Sequence, residues 1–160
     1  MFSTEESKIQ EKHILERIQN IINSNPKYKN DYENILSIMG IGQIGAIALL
    51  HLFLKYPEAN QRQITSLTGL NPIYKQSRTS VQSKYKISKA ESRLYRGSLF
   101  MAAMSAIRYD KNFKAFFKRL KKNGKHTTQA QIAVMRKLII TAHSLYKNNR
   151  KYDVDFNKVA

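Results

Sequence analysis

Apolar residues recur at helical spacing along most of this chain, and short polar breaks carrying Gly, Pro or Asn interrupt them. Ile9, Ile14, Ile18, Ile21 and Ile22 follow Ser3-Thr-Glu-Glu6, which has the form of a capping box, and Asn25-Pro26 ends the run. This predicts an N-terminal amphipathic, coiled-coil-like helix that either packs on the domain or pairs with a second copy. Residues 28–39 read as a second helix with Tyr32, Ile35, Leu36 and Met39 on one side. Residues 43–55 are apolar nearly all round, as a buried helix is, and Pro57 stops them. Asn60-Gln-Arg-Gln63 is expected to cap a short helix over 64–68, closed by Gly69. Residues 98–107 are rich in Ala, Ser and Met, which suits close helix approach, and Leu94, Met101 and Met104 are expected to face a core. Asp110 is placed to cap a helix over 111–122, with Phe113, Phe116, Phe117 and Leu120 inward and Lys114, Lys118, Lys121 and Lys122 outward. Gly124 follows it. A last helix opens with Thr128-Gln-Ala-Gln131 and runs to about residue 146. The fold class is therefore all-α, with at most a small hairpin. The organisation reads as a linker helix over 1–30, a domain over 33–147 and a loose polar tail over 148–160.

The break between residues 69 and 96 changes this picture, because it carries charge in place of an apolar period. It holds Lys75, Arg78, Lys84, Lys86, Lys89, Arg93 and Arg96 against one carboxylate, Glu91. Ser88-Lys-Ala-Glu91 has the form of a capping box, so a helix is expected from Lys89, with Lys89, Arg93 and Arg96 sharing one face. The whole chain has a formal net charge of +17, and residues 59–125 contribute +14 of it, from sixteen Lys or Arg and two Asp or Glu. Such an excess costs self-repulsion unless a polyanion neutralises it, so DNA or RNA is the expected partner. The chain has no cysteine, which excludes disulfides and thiolate metal sites and fits a cytoplasmic location. Its longest apolar run, 44–54, is too short to span a bilayer, and no signal peptide is read at its start.

Gly40-Ile41-Gly42, between two apolar helical segments, resembles a helix-hairpin-helix element. Glycines there permit a tight turn and let backbone N–H groups at the second helix's start approach a phosphate, a contact that reads no sequence. An ordinary turn with a Gly cap is the alternative. Metal chemistry has little support, since His13, His51, His126 and His143 are scattered and carboxylates are scarce where the cations are. Tyr74, Tyr85 and Tyr95 could stack on bases or attack phosphate, or could simply pack.

Several ordered motifs carry a family resemblance. Ser37-Ile-Met-Gly-Ile-Gly-Gln-Ile-Gly-Ala, Leu67-Thr-Gly-Leu-Asn-Pro72, Gln76-Ser77, Ile87-Ser-Lys89, Leu94-Tyr-Arg96, a run ending in Asn-Gly124 and Ala133-Val-Met-Arg-Lys137 lie in that order. Over about residues 33–147 the chain resembles the C-terminal domain of the IS one-ten insertion-sequence transposases, also grouped with IS one-sixteen and IS nine-oh-two. The resemblance implies a domain joined by a helical linker to a RuvC-like domain with a DEDD metal site, and DNA strand exchange guided by a bridge RNA. It makes Ser77 the nucleophile, places Gly40, Ile41 and Gly42 in the hairpin, and matches Ser88, Lys89 and Arg96 to the motif at the helix start. Arg93 and Arg96 are candidates to stabilise charge on the phosphate. Lys75, Arg78, Lys84, Lys86 and Lys89 are candidates to bind DNA. Two departures stand out: Arg78 and Glu91 occupy positions where the family usually has Gly. No cofactor is expected in this chain, and Mg2+ only with the DEDD domain. A homo-oligomer is implied for the full-length family. A truncated copy, inactive alone, is one expectation; a non-catalytic nucleic-acid-binding remnant or regulator is the other.

Overall fold

The computed structural model describes residues 4–73, 86–87 and 93–155. Among them the chain forms seven α-helices and one pair of two-residue strands: α1 (Thr4–Ser24), α2 (Pro26–Leu36), α3 (Gln43–Lys55), α4 (Gln61–Leu67), β1 (Pro72–Ile73), β2 (Lys86–Ile87), α5 (Arg93–Tyr109), α6 (Lys111–Lys122) and α7 (Thr127–Lys147). The all-α expectation holds.

Two helices organise the rest. α3 buries Ala46, Ala48, Leu49, Leu50, Leu52 and Phe53, so it has little polar face to show water. α7 buries Val134, Leu138, Ile139, Ala142 and Leu145 and touches α2, α3, α4, α5 and α6. α6 lies on α5 and α7 through Phe113, which is fully buried, with Phe116 and Phe117 half-buried around it. α1 reaches the core through Ile18 and Ile22 near its end, whereas Ile9 and Ile14 are 56% and 58% exposed.

Caps set several boundaries, some of them away from where the sequence pattern puts them. Asn25 caps α2, accepting from the Lys27 and Tyr28 N–H groups at 3.0 and 3.4 Å, and Pro26 occupies the first turn, where its missing N–H costs nothing. α4 begins at Gln61 rather than at 64, because Asn60 and Gln63 exchange cap hydrogen bonds and so belong to the first turn themselves. α7 is capped by His126 with Gln129, ahead of the expected opening at Thr128. Asp110 does cap α6, accepting from the Asn112 and Phe113 N–H groups at 2.8 and 3.0 Å.

Leu94 and Met101, expected to face a core, are 56% and 69% exposed, and Met39, placed on one side with Tyr32, Ile35 and Leu36, is 46% exposed. The polar segment after α7, expected to be loose, is held over 148–155. The Tyr152 N–H donates to Ser37 Oγ at 2.7 Å, the Asn112 side-chain amide donates to the Val154 carbonyl at 2.7 Å, and Lys111 pairs with Asp155 at 2.6 Å. The Tyr152 ring lies along Phe113, with centroids 6.4 Å apart, and burial pushes its hydroxyl up to about 12.

Candidate nucleic-acid interface

The turn between α2 and α3 brings two glycines to different tasks. Gly40 has φ +105°, which only glycine adopts easily, and a Cβ built there would lie 2.7 Å from the Ala102 carbonyl oxygen and 2.7 Å from the Ala106 amide nitrogen. Its job is to let the backbones of the turn and α5 touch. Gly42 is exposed, has ordinary extended dihedrals and would place a Cβ with no atom within 4 Å. It is the N-cap of α3, and no side chain caps the first turn there. Backbone N–H groups therefore open to solvent at the positive end of a thirteen-residue helix. Ile41 is only 6% exposed and anchors the turn in the core, so of the three turn residues Gly42 is the one placed for contact.

Because Gly40 holds the turn against α5, the start of α3 faces the start of that helix. Gly42, Gln43, Gly45, Arg93, Gly97 and Ser98, together with the apolar Leu15, Ile44, Leu94 and Met101, line one open depression of about 750 Å³. Arg93 is exposed and Arg96 half-buried. Tyr95 points the other way: it is 7% exposed, and its hydroxyl lies 2.8 Å from His51 Nδ1. Among the three candidate tyrosines it is thus a packing residue.

Strands β1 and β2 pair antiparallel, Pro72 with Ile87 and Ile73 with Lys86, so the two ends of the basic segment meet at one place. Ser77, Lys75, Arg78, Ser80, Lys84, Ser88, Lys89 and Glu91, with Tyr74 and Tyr85, lie outside the described residues. Of Lys86 only the backbone is described.

A second set of cations escaped the candidate list. Lys114, Lys118, Arg119, Lys121, Lys122 and Lys125 are exposed along α6 and the turn after it, and among the described residues none of the lysines in this set pairs with a carboxylate. Lys121 Nζ donates to Thr127 Oγ1 at 2.9 Å, which brings the end of α6 to the start of α7. Lys137 sits over the Phe116 ring at 4.6 Å; burial first, then Arg119, lowers its pKa, with Asp110 opposing. The signal was present in the spacing of the α6 lysines, which mark an outer face, but such a face is as often merely solvated. Among the described residues no three His, Asp or Glu side chains converge as metal ligands.

The profile of the Transposase IS116/IS110/IS902 family matches residues 32–118, more than half of the chain. The chain belongs to that family. The matched stretch runs from α2 through the glycine turn, α3, the basic segment and α5 into α6, and so includes Gly42, Gln43, Arg93 and Ser98 of the depression. Two curated relatives, the pilin gene-inverting proteins of Moraxella bovis and Moraxella lacunata, are each 31% identical over 143 residues. The alignment covers 86% of this chain and 43% of each relative, so the chain spans less than half the length of the relatives it matches. Among the described residues no helix is long and apolar enough to cross a membrane.

Proposed function

We propose that this transposase-family chain binds the phosphate backbone of DNA and supplies the serine for strand exchange. One observation carries the reading: the uncapped start of α3 and Arg93 line the same open depression, which puts a helix N-terminus and a cationic residue beside one volume. The names of the relatives support a DNA-inverting reaction. In the proposed step Ser77 Oγ attacks a scissile phosphorus, an Oγ–P ester forms, and the bond to the leaving sugar oxygen breaks. The serine proton passes to a base supplied from outside the described residues, and the leaving oxygen is protonated in turn. Arg93 and Arg96 stabilise the charge growing on the non-bridging oxygens. The acidic residues of a DEDD domain, with Mg2+, would come from a further polypeptide segment. A guide RNA would occupy the same electropositive side, and the assembly would contain more than one copy.

Salt dependence tests the binding half directly. If about six to eight phosphates are neutralised, log K against log salt falls with a slope of roughly −5 to −7 on duplex DNA. A slope near zero in an anisotropy titration refutes it.

A further inference from the structure

We propose that the groove between the first halves of α5 and α7 holds one unpaired nucleobase stacked on Phe100. This rests on the nucleic-acid reading above and adds to it a preference for strands with an open base. The groove measures about 390 Å³. Its apolar lining is Phe100, Ile132 and the buried Met135. Its polar lining is Arg93, Arg96, Thr128 and Gln131. Phe100 is 43% exposed although its neighbour Leu99 is buried at 1%, so an aromatic face stands in water on a chain of net charge +17.

A surface built only to follow phosphates needs cations and amides, not an exposed aromatic ring lining a groove. Single-strand binders combine the two, with a cationic track for the backbone and an aromatic face on which any base can stack. Both parts are present. Arg93 borders this groove and the depression at the start of α3, so a backbone phosphate held there brings its nucleotide to the groove's edge. On the opposite side the hydrogen bond from Lys121 to Thr127 brings the cationic end of α6 beside Thr128. The Gln131 side-chain N–H donates to Met104 Sδ at 3.3 Å, which fixes the amide group beside the groove, where its carbonyl oxygen can accept from a base edge. A duplex keeps its bases stacked inside and cannot fill such a groove; a single strand, or the open bases of a gapped duplex, can.

The test compares three fluorescent probes of one sequence: a blunt duplex, the same duplex with a single-strand gap, and the single strand. Phe100→Leu keeps the apolar bulk and removes the ring face, while Phe100→Trp keeps a stacking face. Loss of one base–aromatic stack is expected to weaken Phe100→Leu roughly five-fold to a hundred-fold on the gapped and single-strand probes. Blunt-duplex affinity should stay as in the wild type, and Phe100→Trp should retain gapped-probe affinity. A 2-aminopurine in the gap should be quenched by the wild type and by Phe100→Trp, not by Phe100→Leu. Wild-type affinity of Phe100→Leu for the gapped probe, or an equal loss on all three probes, overturns the proposal and leaves the duplex-binding reading standing. A wild-type chain that binds none of the probes overturns both.

Discussion

Gly40→Ala and Gly42→Val should separate the two jobs of the glycine turn. At Gly40 a methyl group meets backbone on α5, 2.7 Å from the Ala102 oxygen and from the Ala106 nitrogen and 3.0 Å from the Ala106 Cα. Backbone atoms of a packed helix cannot rotate aside, so relief requires α5 to move, at an overpacking cost of about 1–3 kcal/mol. The φ of +105° adds strain of about 1–3 kcal/mol for any residue with a Cβ. The sum, about 2–6 kcal/mol, is a large part of a typical stability of about 5–15 kcal/mol. At about 2–4 °C per kcal/mol for a chain of this size, the melting temperature should fall by about 5–20 °C.

Gly42→Val should do the opposite. Nothing lies within 4 Å of its Cβ, and φ −88°, ψ 179° is open to valine, so only the poorer N-cap preference costs stability, about 1 kcal/mol. What it blocks is close approach to the amides of α3. Loss of one charged hydrogen bond predicts about ten-fold weaker binding or more, equal on all DNA sequences. Circular-dichroism melts and anisotropy titrations on both variants decide the matter. A Gly40→Ala melt within 2 °C or so of wild type would refute the packing argument. Wild-type affinity in Gly42→Val would refute the phosphate approach.

Two further outcomes are expected. In an assay supplied with a DEDD domain and Mg2+, Ser77→Ala should abolish a covalent protein–DNA adduct while leaving salt-dependent binding intact, and Arg78→Gly should raise adduct yield by removing a side chain beside the attacking oxygen; an adduct that persists, or that maps to Ser80 or Tyr74, moves the chemistry elsewhere. His143 is 4% exposed, and burial first, then Lys147, lowers its pKa, so the unfolded chain takes up a proton that the folded chain refuses. Stability should therefore be full above the unfolded value of about 6.5 and fall as pH drops below it, by up to about 1.4 kcal/mol per pH unit. Urea midpoints between about pH 7.5 and 5.5 should show this slope, and His143→Gln should flatten it; the same slope in the variant would remove His143 as its source.

Much of the helical layout was legible because its stops and starts are chemical. Asp110 ahead of Lys111–Lys122 and Asn25-Pro26 between α1 and α2 each solve a backbone hydrogen-bond problem that can be read locally. The misplaced start of α7 shows the limit: a histidine ring accepts from the Thr128 N–H, and His is not a residue that cap preferences bring to mind. The exposure of Leu94 and Met101 has a different cause. α5 buries Tyr95 and Leu99 together with Ala102, Ala103 and Ala106, small residues that let backbones touch, and Leu94 and Met101 lie on the other side of the helix. Size misleads where closeness matters. The held segment after α7 has no period to detect, since Tyr152 and Asn149 dock singly on groups brought there by α2 and α6.

The same close contact is why the proposed phosphate site lies on α3 and α5 rather than on the more numerous lysines of α6. A lysine on a four-carbon stem places its charge loosely and loses rotamer freedom when it binds. The amides at the start of α3 are already fixed, and the backbone contact of Gly40 with α5 fixes them relative to the helix that carries Arg93 and Arg96. A phosphate entering the depression would meet a helix terminus and a guanidinium whose spacing costs no reorganisation to set, the condition under which electrostatic stabilisation is strongest. The α6 lysines suit a different task, drawing a long polyanion to the surface at a rate that salt suppresses. Chemistry at one phosphate needs the rigid pair, and capture of the strand needs the loose array.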